Sequence, residues 1–406
     1  MGASGLPTDL ITDLVAVADA ASIDAASESD STSGSESRSR SGSTSLSTGP
    51  APGSAWLPMS DGEFDDLARR AFAHQVATNS TYRGFCEGRG VSPGDWPGWE
   101  GVPAVPTRGF KDLDLISGDS DAVERTFRTS GTSAGRGRRG THHVLSVDLY
   151  RRLSLPWFRA NLLPDLGPGR RIRTISLIPG ANAVPDSSLS TMVEFVLEAY
   201  GDGGSLTVAD VESGVDAGAL TDALRAAASG SEPVLLLGTA FSFVHLIDRL
   251  DDGGVRVVLP PGSRAMETGG FKGRSREVPR DELYRGISDR TGVPAVRIVN
   301  EYGMTELLSQ FYEPILRRPG SPRRHVSPPW MRTRILDPDT LEPVAPGEPG
   351  LLQHFDLANV GSVSAVLTDD VGKAVDDGFV VLGRAPGSEP RGCSLAMEDL
   401  LDARNR

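Results

Sequence analysis

Two short segments of the sequence contain the residue types that suit nucleotide binding. Residues 129–136 read Thr-Ser-Gly-Thr-Ser-Ala-Gly-Arg, and such hydroxyls and glycine amides can wrap a triphosphate with neutral donors. The run is not a Walker A loop, because no Lys-Ser or Lys-Thr pair follows at the required spacing. A Ser/Gly/Thr run alone is typical of a linker, but strand-like residues flank this one, and loops held between strands are frequent ligand sites. The predicted phosphate-binding residues are Thr129, Ser130, Gly131, Thr132, Ser133 and Gly135.

The second segment, residues 300–306, reads Asn-Glu-Tyr-Gly-Met-Thr-Glu and directly follows an apolar run. Tyr302 offers a flat face to an adenine ring, and Gly303 allows the backbone to approach a nucleotide closely. Thr305 can donate to the α-phosphate, and the carboxylate of Glu306 suits a Mg²⁺ ion that keeps most of its waters. The alternative is a strand-to-helix turn in which the threonine and glutamate only cap.

The elements that must position these segments are predicted from hydrophobic periodicity. Strands are predicted at residues 172–178, 234–237, 255–259, 296–299, 363–367 and 379–382. Helices are predicted at residues 145–163, 188–200, 216–228, 241–250 and 280–291, and a further helix is predicted to begin with Asp61 as its cap. The alternation of strands and helices predicts an α/β fold with buried sheets.

The N-terminal part of the chain differs from the rest in composition. Residues 1–22 contain a short helical pattern, but residues 23–54 are dominated by Ser, Thr and Gly. Such a segment cannot bury enough apolar surface to offset its ordering entropy. We predict a disordered tail over residues 1–55, a core domain over 56–383 and a short C-terminal segment over 384–406.

Charge and cysteine content narrow the class of protein. The 406-residue chain has 41 basic and 54 acidic residues, a net charge of −13. This sign disfavours nucleic acid and anionic lipid as partners. No apolar run reaches the roughly 18 residues of a membrane helix, and the first residues lack the basic region of a signal peptide. Two cysteines are too few for a disulfide scaffold, so we predict a soluble, cytoplasmic protein.

Taken together, the two segments resemble motifs of the adenylate-forming enzymes, which include acyl-CoA synthetases, peptide-synthetase adenylation domains and firefly-type luciferases. The resemblance implies that Glu301, Tyr302 and Gly303 belong to the adenine and magnesium motif. Residues 347–350, Gly-Glu-Pro-Gly, are similar to the Gly-Glu-x-Gly turn of these enzymes. In the run Thr-Asp-Asp, Asp370 matches the aspartate that grips both ribose hydroxyls, with Asp369 as the alternative.

One branch of the superfamily fits more closely. Its motifs match residues 266–274, 301–310, 328–332, 356–359 and 391–393. This pattern resembles the acyl-protein synthetases, also called long-chain-fatty-acid–luciferin-component ligases, and the resemblance covers residues 102–400. It implies a large N-terminal domain and a truncated C-terminal lid, with a hinge at Arg384.

The resemblance also implies an activity with ATP and Mg²⁺ as cofactors. A fatty acid and ATP give acyl-AMP and pyrophosphate, and the acyl group moves to a cysteine near the C-terminus. It then passes to a partner acyl-reductase. Cys393, in the matching Arg-Gly-Cys context, is the predicted acceptor; Arg391 is close enough to lower its pKa, and the thiolate is the nucleophile.

Two departures from the superfamily pattern affect the charge at the reacting centre. The phosphate loop lacks the lysine that many relatives place at its end; Arg136 or Arg138 can supply the charge but not its compact geometry. The chain also ends about where the lid of a full acyl-CoA synthetase begins, so the lysine of that lid is missing, as in the whole luminescence-type family. We predict that Lys272 balances the charge instead; the alternative is a solvated loop lysine.

The remaining polar candidates are three histidines, one glutamate and one cysteine. His142 and His143 are adjacent on a strand and point to opposite faces, so they cannot both bind one metal ion, and we expect them to be structural or supporting. Glu267 either contacts the nucleotide or only stabilises a turn. We expect His245 to pack on a helix and Cys86 to be structural.

The substrate is a carboxylic acid whose identity the sequence does not give; the family favours a long-chain fatty acid. The acyl pocket is predicted to include Met192, Phe241 and Phe243. Two alternatives stay open. In one, coenzyme A is the thiol acceptor and Cys393 is structural. In the other, the protein is a non-catalytic nucleotide-binding partner of an acyl-reductase.

Overall fold

The computed structural model describes residues 5–31, 59–92, 94–129, 139–210, 214–269, 278–385 and 391–404. The α-helices are α1 (Thr8–Ser31), α2 (Asp61–Thr78), α3 (Ser80–Gly88), α4 (Gly109–Asp112), α5 (Val147–Leu162), α6 (Ser188–Tyr200), α7 (Ala217–Ala228), α8 (Ala240–Asp252), α9 (Arg280–Thr291) and α10 (Arg391–Arg404). The strands are β1 (Val105–Pro106), β2 (Arg125–Arg128), β3 (Thr141–Val144), β4 (Arg173–Ser176), β5 (Leu206–Thr207), β6 (Ala209–Asp210), β7 (Gly214–Val215), β8 (Val234–Thr239), β9 (Arg264–Thr268), β10 (Ile298–Tyr302), β11 (Phe311–Tyr312), β12 (Met331–Leu336), β13 (Gly350–Asp356), β14 (Ala365–Val375) and β15 (Gly378–Arg384).

One sheet has six strands in the order β11-β10-β9-β8-β4-β5. All neighbours are parallel except β11 with β10. Leu235 and Leu237 of β8 pack with residues of α5 and α6, whereas Leu236 packs with α7, α8 and α9. Helices therefore cover both faces, which explains why β8, in the middle of the sheet, begins with an unbroken apolar run at residues 234–237. The predicted α/β architecture is confirmed.

A second sheet runs in the order β1-β14-β13-β12, and β15 pairs with the far half of β14. Its pairs are antiparallel except β1 with β14. Helix α10 packs against α3 and β1, with Leu400 beside Gly109 and Ala403 beside Gly84. The C-terminal helix is thus anchored on the strand that pairs with β14.

The strand predicted at residues 255–259 is wrong. Val257 and Leu259 donate backbone hydrogen bonds of 3.0 and 2.9 Å to carbonyls at the end of α9, and not to a neighbouring strand. Two prolines follow, and they have no N–H with which to continue a ladder.

Two predicted boundaries also shift. Helix α2 is capped by Ser60 instead of Asp61, because the Ser60 side chain and Glu63 form a reciprocal capping box. The last predicted strand of the parallel sheet begins two residues late, since residues Ala295–Arg297 form a turn of 3-10 helix before β10.

The short helical pattern within residues 1–22 corresponds to a helix in the structure, whereas the prediction of a disordered tail over residues 1–55 does not hold for the described part of that range, residues 5–31. This part forms helix α1, in which Leu10, Leu14 and Ala18 are fully buried and pack in the core with α5. Asp9 and Asp13, which interrupt the apolar run in the sequence, both pair with Arg70, at 2.8 and 2.6 Å. Tertiary partners on α2 and α5 therefore order a helix that is too weakly patterned to be predicted as part of the core. None of the described helices is long and apolar enough to span a bilayer.

Candidate active site

The carboxyl ends of β8, β9 and β10 meet at one edge of the parallel sheet. Thr239 lies beside Thr268, and Thr268 lies beside Glu301. This edge is where open α/β sheets bind ligands. Residues 303–310 leave it and enter the antiparallel strand β11. The alternative of a strand-to-helix turn is therefore wrong.

Glu301 explains why a glycine follows two residues later. Its carboxylate is buried and accepts a hydrogen bond from the hydroxyl of Thr268. A Cβ atom placed on Gly303 would lie 2.5 Å from Oε1 of Glu301. A larger side chain at this position therefore requires the buried Glu301 carboxylate or the loop to shift. The predicted cofactor-binding glutamate is directed into the protein, where it ties β10 to β9.

Tyr302 and Asp370 come together although they are 68 residues apart. The tyrosine hydroxyl donates a 2.8 Å hydrogen bond to Oδ2 of Asp370. The tyrosine ring packs among four rings, those of Phe311, His325, His354 and Phe379. Burial raises the pKa of Tyr302 well above its usual value, so the hydroxyl stays a donor.

The two neighbouring aspartates of the Thr-Asp-Asp run have different partners. Oδ1 of Asp370 accepts from Nε of Arg384 at 3.3 Å, and the arginine is largely exposed. Asp369 instead lies 3.6 Å from Nε of Arg108. The structure thus brings Asp370 and Arg384 to the tyrosine, and not Asp369.

Glu306 is a buried carboxyl group at the same edge. Desolvation raises its pKa to about 7, an effect that Arg384 and Lys111 partly offset and Asp370 reinforces. No group of three or more His, Cys, Asp or Glu residues suited to a metal ion occurs in the described residues. A single carboxylate fits Mg²⁺ that is held mainly by water and phosphate oxygens, as this ion prefers.

His142 supports the loop between β10 and β11 through its backbone. Its Nδ1–H donates a 2.7 Å hydrogen bond to the carbonyl of Thr305, and burial lowers its pKa to about 4, so it is neutral. His143 faces the other way and bonds Thr126 and Asp114 at 3.0 and 3.1 Å. The prediction that the two histidines point to opposite faces is confirmed.

The predicted phosphate loop joins the antiparallel strands β2 and β3. Thr129 lies at its start, and its hydroxyl accepts a 2.9 Å hydrogen bond from the amide of Gly140. The prediction that strands hold both ends of the loop is confirmed. Some predicted residues lie outside the described part of the chain: Ser130, Gly131, Thr132, Ser133, Gly135, Arg136, Arg138 and Lys272.

The two cysteines have different settings. Cys393 is in the first turn of α10, and its side chain lies outside what the structure describes. Cys86 is fully buried in α3, and burial raises the pKa of its thiol to about 12. The prediction that Cys86 is structural agrees with this burial.

Glu267 does not face the edge where a nucleotide would lie. It is buried and accepts hydrogen bonds from Nδ2 of Asn300 at 2.6 Å and from the hydroxyl of Tyr284 at 3.3 Å. Desolvation raises its pKa to about 7. It therefore joins β9 to β10, which fits the stabilising role that was one of its two predicted roles.

The predicted acyl pocket does not assemble. Met192 lies in the hydrophobic cluster on one face of the parallel sheet and Phe243 lies in the cluster on the other face. Phe241 packs its ring against His245, with centroids 4.4 Å apart. Residues on opposite faces of one sheet cannot line one pocket.

The sequence alone assigned no role to a set of buried side chains that hold the loop between β10 and β11 or support the residues that do. They are Ser309 within the loop, its partners Trp330 and Asp356, Asn359, which bonds the carbonyl of Glu306, and Gln75, which bonds Asn359. All but Gln75 belong to the short matching motifs at residues 301–310, 328–332 and 356–359, and those matches were the signal that could have drawn attention to them.

The sequence and the fold of this chain both resemble those of known proteins. The family model described as acyl-protein synthetase, LuxE, matches residues 199–402, half of the chain. This range includes the loop between β10 and β11, Asp370, Arg384 and Cys393. The phosphate loop lies before it.

Two curated relatives have the same name. The long-chain-fatty-acid–luciferin-component ligase of Vibrio harveyi is 26% identical over 361 residues, covering 84% of this chain and 88% of the relative. The ligase of that name from Aliivibrio fischeri is 26% identical over 355 residues, covering 83% and 88%.

A solved structure shares the fold. It is an open conformation of 2-hydroxyisobutyryl-CoA ligase in complex with 2-HIB-AMP and CoA. The match has a TM-score of 0.57 at 14% identity and covers 81% of this chain and 76% of the other. The fold is therefore that of the adenylate-forming enzymes.

Proposed function

The chain belongs to the LuxE family of acyl-protein synthetases and is a ligase, and from this premise we propose that it activates a carboxylic acid with ATP and passes the acyl group to a protein thiol. The names of the two curated relatives support a long-chain fatty acid as the substrate. The observation that carries the proposal is the convergence of Tyr302, Asp370, Arg384 and Glu306 at the carboxyl edge of the parallel sheet.

In the first step an oxygen of the substrate carboxylate attacks the α-phosphorus of ATP. The bond from that phosphorus to the bridging oxygen breaks, which gives acyl-AMP and pyrophosphate. We assign the adenine to the face of Tyr302, the ribose hydroxyls to the carboxylate of Asp370, and an α-phosphate oxygen to the hydroxyl of Thr305. Catalysis in this step is mainly positioning and charge stabilisation.

Three further groups are assigned to the phosphates. Glu306 would hold Mg²⁺, which neutralises charge on the phosphate oxygens. The loop of residues 129–136 would bind the triphosphate with hydroxyls and amides. Lys272 would balance charge where the carboxylate meets the α-phosphate. Glu301 and Gly303 shape the edge on which the nucleotide lies.

In the second step a thiolate, formed when its proton is lost to solvent, attacks the carbonyl carbon of the acyl-adenylate. The carbon–oxygen bond to AMP breaks and a thioester forms. Cys393 is the proposed acceptor. The anchoring of α10 on β1, the partner of the strand that carries Asp370, supports a position near the nucleotide. The acyl group would then pass to an acyl-reductase, and residues 384–406 would act as a short C-terminal segment in the cytoplasm.

The test is pyrophosphate release from ATP and Mg²⁺ with a panel of fatty and aromatic acids, followed by intact-mass analysis. Acid-dependent release with an acyl adduct on Cys393 is expected. Release without an adduct would assign the acceptor role to coenzyme A or to a thiol of a partner. No release with any acid, from protein that still binds ATP, would contradict the enzymatic proposal and leave a nucleotide-binding partner protein.

A further inference from the structure

The loop that connects β10 to β11 is held by buried side chains from several distant parts of the chain. Asp356, at the end of β13, accepts hydrogen bonds from the amide of Leu308 at 3.0 Å and from the hydroxyl of Ser309 at 2.7 Å. Trp330 donates from Nε1 to the same hydroxyl at 3.0 Å. The Asp356 carboxylate is fully buried, so these bonds replace its lost hydration.

Asn359 binds the loop directly after Thr305, the candidate contact to the α-phosphate. Its Nδ2 donates a 2.8 Å hydrogen bond to the carbonyl of Glu306. The backbone of the residue that would bind Mg²⁺ is therefore fixed by a side chain 53 residues later in the chain. Asn359 is itself fully buried.

Gln75 extends this set of hydrogen bonds to helix α2. Its Nε2 donates to the carbonyl of Asn359 at 3.1 Å, and its Oε1 accepts from the amide of Ser364 at 3.3 Å. Helix α2, which lies before the range that the family model matches, is thereby connected to the loop through Asn359. Gln75 is 1% exposed, so water does not compete for these bonds.

We propose that Gln75, Asp356 and Asn359 are positioning residues for adenylation, which fix the loop of residues 304–310 so that Thr305 and Glu306 face the phosphates. The inference rests on the proposed function. None of the three touches the substrate in this assignment. Asn359 acts on the backbone of Glu306, and Asp356 acts on the amide of Leu308 and the hydroxyl of Ser309. Gln75 acts through Asn359. A reacting group that is displaced by about 1 Å can lower a rate by about 100-fold, which is why such a scaffold matters.

The experiment compares Asn359→Ala with a matched variant, Asn161→Ala. Asn161 is also a fully buried asparagine whose Nδ2 donates to a carbonyl, at 2.9 Å, but that carbonyl is Trp157 within α5. Hydrogen exchange of a peptide covering residues 304–310 is measured beside one covering β8. Acid-dependent ATP–pyrophosphate exchange gives kcat and KM for ATP.

For Asn359→Ala we expect faster hydrogen exchange in residues 304–310 only, and a kcat lower by about 10- to 100-fold with little change in KM for ATP. Gln75→Ala is also expected to speed hydrogen exchange in residues 304–310 and to lower kcat, each by a smaller amount than Asn359→Ala. Asn161→Ala should change neither at this loop, because its partner is the backbone carbonyl of Trp157, whereas Trp157 contacts the loop through its indole Nε1, which donates to the carbonyl of Gln310 at 2.8 Å. If Asn359→Ala does not fold, the isosteric Asp356→Asn takes its place.

Equal loop exchange in Asn359→Ala and Asn161→Ala would overturn the proposal. So would a loss of thermal stability with an unchanged kcat, because that is the result of a merely structural role. If the wild-type protein releases no pyrophosphate with any acid, the proposed function fails. The hydrogen-exchange comparison of the variants then still decides whether these residues hold the loop.

Discussion

The hydroxyl of Tyr302 donates a 2.8 Å hydrogen bond to the carboxylate of Asp370, and this bond joins the parallel sheet to the second sheet. The tyrosine ends β10 and the aspartate lies in β14. Each belongs to a separate short sequence motif, and the bond shows that the two motifs lie next to each other in the structure. It also orients Asp370 before any nucleotide binds.

Loss of this hydrogen bond is expected to weaken nucleotide binding. Tyr302→Phe keeps the ring but removes the donor to a charged acceptor, an interaction that contributes roughly 1.5 to 3 kcal/mol. We expect KM for ATP to rise about tenfold in pyrophosphate exchange, with a smaller effect on kcat. Tyr200→Phe is the control, because the Tyr200 hydroxyl bonds the carbonyl of Leu155, away from the site. An unchanged KM in Tyr302→Phe would contradict the assignment of Asp370 to the ribose.

A methyl group at position 303 is expected to disrupt adenylation. In Gly303→Ala the new Cβ would lie 2.5 Å from Oε1 of Glu301, so the buried carboxylate or the loop must shift. We expect kcat to fall by about 100-fold, as for other small displacements of reacting groups. Gly203→Ala is the control, since no atom lies within 4 Å of its Cβ position. If Gly303→Ala and Gly203→Ala are equally active, the loop accommodates the added methyl group and the prediction is wrong.

Stability should depend on pH through Glu306. Its pKa is raised to about 7 in the folded protein, so between pH 4.5 and 7 the folded state binds more protons than the unfolded state. This group therefore lowers the free energy of unfolding as pH rises through that window. Glu306→Gln removes the effect and is expected to be more stable than wild type by up to roughly 3 kcal/mol at pH 8, and by little at pH 5.

Urea unfolding at the two pH values, in the presence of a chelator, measures this difference. Glu348→Gln, at an exposed position, is the control for loss of one negative charge. A gain in Glu306→Gln that is the same at pH 5 and pH 8 would contradict the raised pKa.

Acyl transfer should depend on one cysteine only. Cys393→Ser is expected to keep acid-dependent pyrophosphate exchange and to lose the acyl adduct in intact-mass spectra. Cys86→Ala should keep the adduct, because the Cys86 thiol is buried and its pKa of about 12 keeps it protonated. An adduct that persists in Cys393→Ser would show that another group accepts the acyl chain.

Helix α1 should contribute to stability although its sequence resembles part of a tail. Leu14→Ala removes a fully buried side chain and is expected to cost about 2 to 5 kcal/mol. Asp19→Ala changes an exposed position of the same helix and should cost little. Urea unfolding of both variants measures the difference. Equal stabilities would mean that α1 is not part of the core in solution.

The sequence alone predicted the main elements of the parallel sheet and its helices. The run that became β8 is continuously apolar over residues 234–237 because helices cover both faces of the sheet. Residues 300–306 could also be selected as a candidate nucleotide segment, since residue types and spacing are local properties. The placement of this segment at the end of a strand follows from the apolar run before it.

Local pattern indicated a short helix within residues 1–22, but it could not predict that this helix packs in the core, nor that residues 255–259 form no strand. Both outcomes depend on partners elsewhere: Arg70 for the acidic residues of α1, and the carbonyls at the end of α9 for residues 257 and 259. The same is true of the acyl pocket, which failed because Met192 and Phe243 lie on opposite faces of the sheet.

Sequence by itself thus determined the fold class, the family resemblance and the candidate nucleotide segments. Only the tertiary structure decided that Tyr302 meets Asp370, that the Glu301 carboxylate lies against position 303, and that Asn359 holds the carbonyl of Glu306. The physical reason is that these bonds join residues far apart in the chain. Their geometry is set by how two sheets and their helices pack, and no periodicity within one segment contains that information.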